Sequence, residues 1–297
     1  MKQSRSLILF PFLVLIFIIF YTSCQKELNN SSSANIPQGQ QRISIRLSDN
    51  AVNFDAVNVD IQSVAVQVIP DSCLGRHHDD DDSDGNDDHD QDHEARCSVW
   101  DTLDIHPGVY NLLDLANGAD TILANGLTVT GKIVKIRLTI GNQNSVVIDS
   151  VSYPLTLWNN SHHVTIKVRG EDVDAISPND LQFWLDFDAG RSIVRIRDNN
   201  FVLKPCLRVW LPAHTASISG HVVPDSAGSV VAAIFNGDTL VAIPRHYNGF
   251  FKIRGITATS TDVFINATAN GYQDTTITGV QLSVGKDTDI GTVHLHQ

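Results

Sequence analysis

The stretch Val57-Asn58-Val59-Asp60-Ile61-Gln62-Ser63-Val64-Ala65-Val66-Gln67-Val68 decides the fold class. Val57, Val59 and Ile61 step by two, and Val64, Val66 and Val68 step by two again, with polar or small residues between them. Successive side chains of a strand point to opposite faces, so this spacing gives one apolar face and one mostly polar face, and β-branched residues fit such a surface. An amphipathic helix would need spacings of three and four instead.

The same period extends in both directions. It appears in Ile43, Ile45, Leu47; in Ile136, Leu138, Ile140; in Val164, Ile166, Val168; in Leu181, Phe183, Leu185, Phe187; and in Leu207, Val209, Leu211. Turn-forming clusters separate the runs, among them Ser48-Asp49-Asn50, Gly141-Asn142, Arg169-Gly170 and Asp198-Asn199-Asn200. A short irregular or helical stretch is expected between Tyr110 and Leu123, where the leucines do not alternate. Pro212-Ala213-His214 reads as a seam, after which Ser217 to Val222, Val230 to Ile234, Leu240 to Ile243, Phe250 to Ile253, Val263 to Ala267 and Val293 to Leu295 form a second strand-rich unit. Many short strands with regular turns predict an all-β fold of two tandem β-sandwich domains, 42–212 and 213–297.

The chain of 297 residues is 42% hydrophobic, enough for real cores. Its formal net charge of -12 makes nucleic acid and anionic surfaces poor partners, because phosphate binding needs clustered Lys and Arg.

At the amino end, Lys2 and Arg5 precede an apolar run from Leu7 to Phe20, and Tyr21-Thr22-Ser23 leads into Cys24. The run is shorter than the roughly 20 residues of a spanning helix and contains Pro11. It reads as a lipoprotein signal peptide over 1–23, with Cys24 the lipidated (palmitate-bearing) first residue; the alternative is an ordinary signal cut nearby. Gln25 after the cysteine favours the outer membrane or cell surface of a Gram-negative bacterium, held there by the lipid. Residues 24–41, rich in Asn, Ser and Gln, read as a flexible tether.

Cys73 and Cys97 flank an insertion over 74–96. Outside the cytoplasm they are expected to bridge, the alternative being two unpaired buried thiols; closing that loop stabilises by roughly 3 kcal/mol in the chain-entropy model. Cys206 reads as a small core residue. Within the insertion, Arg76 to Glu94 carries ten carboxylates against one Arg. Asp80, Asp82, Asp84, Asn86 and Asp88 fall in the alternating register of a calcium loop with Gly85 as its turn, but Gln91 stands where a bidentate Glu belongs. His89 and His93, with His77 and His78, would suit Zn2+. The expectation is weak Ca2+ or Zn2+ association, set against a plain solvated acidic loop.

No Gly-x-Ser-x-Gly elbow, His-Glu-x-x-His pair, phosphate-cradling loop or dinucleotide fingerprint occurs, so no enzymatic activity is expected. Asp186 and Asp188 share a strand face and, with Arg191 and Arg195 nearby, are expected to form surface ion pairs. Trp184 and Trp210 lie within strand patterns, where core packing is the default; Trp158, beside a polar turn, is the candidate sugar platform. Asp120-Thr121-Ile122, like Asp101-Thr102-Leu103 and Asp238-Thr239-Leu240, is an Asp-Ser/Thr-aliphatic triplet resembling a bacterial O-glycosylation signal.

Leu47-Ser48-Asp49, Asp55 to Ile61, Tyr110 to Gly118, Gly131 to Ile140, Leu185 to Ala189, Ser192-Ile193-Val194 and Leu203-Lys204-Pro205 together resemble the bacterial family called domain of unknown function 4382. Asn111 stands where that family usually has Asp. The tail resembles a carboxypeptidase regulatory-like, or prealbumin-like, sandwich through Ile218-Ser219-Gly220, Asn248 to Ile253, Ala267 to Tyr272 and the closing Asp289 to Leu295 segment. The first resemblance implies architecture and an envelope address without chemistry, and the second implies a fold grouped with carbohydrate-binding sandwiches. The reading that follows is a non-enzymatic cell-envelope lipoprotein that binds or adheres to protein or glycan partners. Its rival is divalent-cation binding or buffering through the acidic loop.

Overall fold

Strand formation starts at Gln40, two residues ahead of Arg42, because Gln41 is buried and donates from Nε2 to the Gly131 carbonyl at 2.9 Å. The structure is a computed structural model describing residues 36–49, 54–73, 97–168, 181–197, 199–269 and 271–297. Cys24 and the Asp80 to His93 ligand candidates lie outside these residues.

The first sandwich is built from β1 (Gln40–Ser48), β2 (Ala56–Pro70), β3 (Val99–Thr102), β4 (Asp104–Ile105), β5 (Gly108–Asn111), β6 (Thr121–Val129) and β7 (Gly131–Ile140). It continues through β8 (Ser145–Ile148), β9 (Val151–Leu157), β10 (His163–Lys167), β11 (Leu181–Phe187), β12 (Ile193–Arg197), β13 (Asn200–Leu203) and β14 (Leu207–Trp210). One sheet has the order β14-β11-β1-β6-β4; the other runs β10-β7-β2-β8-β9-β13-β12, with β3 and β5 also pairing to β2. The fold is all-β.

The two valine runs of the opening stretch are one continuous strand. The step of three between Ile61 and Val64 is absorbed by a register shift between Ile61 and Ser63 against β7, a bulge that places one extra residue on β2. All six alternating residues therefore remain fully buried on one core, facing Ile43, Ile45, Leu47, Phe183 and Leu185.

Just ahead of the bulge the chain backs tightly onto the residues that follow β7. Asp60 is buried, accepts from the Gln143 backbone N–H at 3.2 Å, and its own N–H donates to Asn144 Oδ1 at 2.9 Å. A Cβ on Gly141 would stand 2.0 Å from Asp60 Oδ2. Gly141→Ala should therefore displace a buried carboxylate and destabilise by roughly 2 kcal/mol, read as a lowered urea midpoint at unchanged m-value.

The irregular stretch after β5 is a 3-10 turn, Leu112–Leu115, closed by Asn111. Asn111 Oδ1 accepts from Val57 N at 3.2 Å and Leu113 N at 3.4 Å, so an amide at this position still performs the carboxylate's acceptor role. Cys73 and Cys97 form the expected disulfide, with Cα atoms 6.3 Å apart. Cys206 departs from expectation: it is half-buried and outside the core, its N–H donated to Ser192 Oγ at 2.8 Å.

The second sandwich comprises β15 (Ala216–Val223), β16 (Ser229–Phe235), β17 (Asp238–Ala242), β18 (Phe250–Ile256), β19 (Ser260–Ala267), β20 (Thr275–Gln281) and β21 (Asp287–His294). Its sheets run β18-β15-β21 and β17-β16-β19-β20 around Ile218, Val231, Phe251, Ile253, Val263 and Ile265. β20 went unread in the sequence: it is a largely exposed, Thr-rich edge strand, and its only half-buried apolar residues are Ile277 and Val280. The first core ends at Leu211 and the second begins at Ala216, yet residues 36–297 form one compact unit. Something other than a shared core joins them.

Candidate functional site

The join lies on the face of the five-stranded sheet that points away from its core. Register pairs Trp210 with Trp184 across β14 and β11, Trp184 with Arg46 across β11 and β1, and Arg46 with Ile122 across β1 and β6. These residues therefore form a row across the sheet, in the phase opposite to Leu181, Phe183 and Leu185. The Trp184 and Trp210 ring centroids are 6.3 Å apart. The expectation of core packing for these tryptophans is corrected here: neither belongs to the first core, because both sit on its outward phase.

β18 of the second sandwich covers the row. Phe251, Ile253 and Ile256 face its own core, which turns Lys252 and Arg254 outward to the first sandwich. The Arg254 guanidinium lies 4.0 Å from the Trp184 ring centroid, and its Nη1 donates to Asp120 Oδ2 at 3.0 Å. Asp120 also accepts from Arg46 on β1, so one carboxylate neutralises guanidinium groups from both sandwiches. Burial pushes the Arg254 pKa down while the Asp120 ion pair pushes it back up; Arg254 remains cationic at neutral pH.

Two glycines permit the close approach. A Cβ on Gly255 would meet the Trp210 ring at 3.1 Å, and one on Gly118 would meet the Lys252 side chain at 2.6 Å; both have φ near +80°, at +77° and +80°. Beside Gly118, Asn117 Nδ2 donates to the Ile243 carbonyl at 2.8 Å, a further bond between the sandwiches.

Between the tryptophans and the β15–β21 end of the second sandwich lies an open cavity of about 230 Å³. Its polar lining includes Lys252, Arg254, Lys286 and Asp287. Asp287 pairs with Lys252 at 3.1 Å and accepts from Ser217 Oγ at 2.5 Å and Ser219 Oγ at 2.7 Å. Burial raises the Asp287 pKa, but those hydroxyls and Lys252 outweigh it, leaving the carboxyl below its ordinary value. The Trp184 Nε1–H is buried and has no acceptor among the described residues.

One row further along the same sheet face, Ser48, Asp186 and Arg208 are register partners. Asp186 is fully enclosed, where a surface ion pair was expected, and among the described residues it pairs with Arg208, whose Nη2 lies 2.6 Å away, and not with Arg191 or Arg195. Asp188 does make the expected ion pair with Arg191, Nε to Oδ2 at 4.0 Å, and also caps the helical turn Ala189–Ser192, accepting from Arg191 N at 2.9 Å. The two aspartates part because the strand ends at Phe187. Trp158 sits in a 3-10 turn, 45% exposed, with Lys204 Nζ 5.7 Å from its ring centroid. Asp120, read in the sequence as part of a modification triplet, is occupied by the two arginines.

The chain matches the family described as Domain of unknown function (DUF4382) over residues 40–205, and it belongs to that family. β14, which completes the five-stranded sheet and carries Trp210, falls just beyond the matched segment. No match was found among curated proteins. Among solved structures, the chain is similar to the shaft pilin SpaA of Lactobacillus rhamnosus GG in its E269A form, at 9% identity and TM-score 0.21, covering 85% of this chain and 96% of that one. It is also similar to a streptococcal ancillary pilin at 11% identity and TM-score 0.20, covering 86% and 69%. A third similarity is to the fimbrial anchor protein Mfa2 of Porphyromonas gingivalis at 6% identity and TM-score 0.17, covering 82% of each chain.

Proposed function

We propose that the chain is a lipid-anchored, non-enzymatic binding module of the cell envelope, displayed at the outer membrane or cell surface through Cys24. The observation that carries this reading is the Cys73–Cys97 disulfide, since such bonds persist outside the reducing cytoplasm. The apolar leader ending at Tyr21-Thr22-Ser23-Cys24 supplies the route out and the anchor. Among the described residues no helix is long and apolar enough to cross a membrane. Two sandwiches locked by Asp120, Arg46 and Arg254 present a fixed seam with a cavity, an arrangement suited to holding a partner in one orientation.

The test is metabolic labelling of producing cells with an alkyne-bearing palmitate analogue. Label should travel with the wild-type chain into the membrane fraction and vanish for Cys24→Ala. Equal labelling of the two chains, or a wild-type chain found unlabelled in the soluble fraction, would sink the reading.

A further inference from the structure

We infer that the cavity at the seam is a binding site for one hydroxylated carboxylate of sugar-ring size, a hexuronate being the simplest member. The inference rests on the binding-module reading and names the ligand class of that module.

Size is the first constraint. At about 230 Å³ the cavity is below the roughly 300–1,000 Å³ of sites for drug-sized ligands, so it suits a single ring or terminal unit.

Charge is the second. Among the described residues, Arg46, Lys252, Arg254 and Lys286 are answered at the seam by ion pairs to Asp120 and Asp287, a local positive surplus in a chain of net charge -12. Lys286 makes no ion pair among the described residues, although it lines the cavity next to Asp287. A carboxylate is the group that answers it. A phosphate is less suited: the planar Arg254 fork, which reads phosphate best, is committed to Asp120, and a doubly charged group would lie against Asp287.

The remaining polar atoms call for hydroxyls. Ionised Asp287 is acceptor-only and, beyond its bonds to Ser217, Ser219 and Lys252, offers lone pairs to ligand O–H groups. Trp210, Pro212 and Ala216 add an apolar wall for the C–H face of a ring. A neutral hexose leaves Lys286 unanswered, and a simple carboxylate leaves Asp287 and the wall unused.

The experiment is titration calorimetry on the purified full-length chain with galacturonate, galactose and acetate. Galacturonate should bind with Kd of about 1 mM, and galactose and acetate should each bind roughly tenfold more weakly. Lys286→Glu, at an exposed position whose fold is verified by an unchanged melting profile, should abolish galacturonate binding. Acetate binding as tightly as galacturonate, no galacturonate binding at all, or titration unaffected by Lys286→Glu would each overturn the inference. Palmitate labelling at Cys24 is independent of these outcomes, so failure here and failure of the envelope reading are told apart.

Discussion

Asp120→Ala is expected to destabilise the protein by about 3 kcal/mol, the value for a broken buried ion pair discounted for the part-exposure of its partners. Side-chain exposure is 12% at Asp120, 27% at Arg46 and 21% at Arg254, so none of the three is well solvated. Without the carboxylate, the guanidinium groups of Arg46 and Arg254 face each other around Trp184, which lies 6.0 Å from one and 4.0 Å from the other. The repulsion acts on the link between the two sandwiches, whose cores are separate. The single unfolding transition expected of the wild type should therefore divide in two, with calorimetry as the readout. Arg254→Ala should cost less, because the Asp120–Arg46 pair survives it. Adding Arg254→Ala to Asp120→Ala should restore part of the loss by removing the repulsion, a coupling that a double-mutant cycle measures. One undivided transition at the wild-type midpoint for Asp120→Ala would show that this carboxylate does not hold the sandwiches together.

The contrast between what the sequence revealed and what it hid follows from strand geometry. Val57 to Val68 could be read because burial on a β-strand imposes a period that the residues themselves display, even across the bulge at Gln62. The pairing of Cys73 with Cys97 was legible for a similar reason: both flank one polar insertion. The seam was not legible, because its members come from the outward phases of β1, β11, β14 and β18, and an outward phase reads as solvated whether or not another sandwich covers it. One signal was present all the same. Trp184 is out of phase with Leu181, Phe183 and Leu185, and Trp210 is out of phase with Leu207 and Val209. Large aromatic groups on the polar phase of strands that become neighbours mark a covered face. Assigning both tryptophans to the core missed that phase. Lys286 and Asp287 carried no sequence signal, since their role depends on the turn into β21 arriving beside β15 and β18.

Asp186 sets the pH dependence of stability on this same face. Burial drives its pKa up, the Arg208 charge and hydrogen bond pull it back, nearby Asp188 adds a small upward push, and the result is about 6 against an ordinary 3.8. With the folded-state pKa above the unfolded one, the native chain holds a proton that the unfolded chain gives up between these values. The contribution to stability is thus full below about pH 4 and is lost as the pH climbs through about 6, a change of about 3 kcal/mol. Asp287 works in the opposite sense: its pKa is lowered, so its contribution is present above the unfolded value and lost as the pH falls through the lower folded one. The two windows do not coincide. Between pH 4 and 7, Asp186→Asn should flatten the decline while keeping an acceptor for Arg208, and below pH 4 it should leave the profile as in the wild type. Urea unfolding across this range provides the measurement. If the variant declined between pH 4 and 7 as steeply as the wild type, the titrating group would have to be another, and the carboxyl beside Arg208 would be ionised throughout.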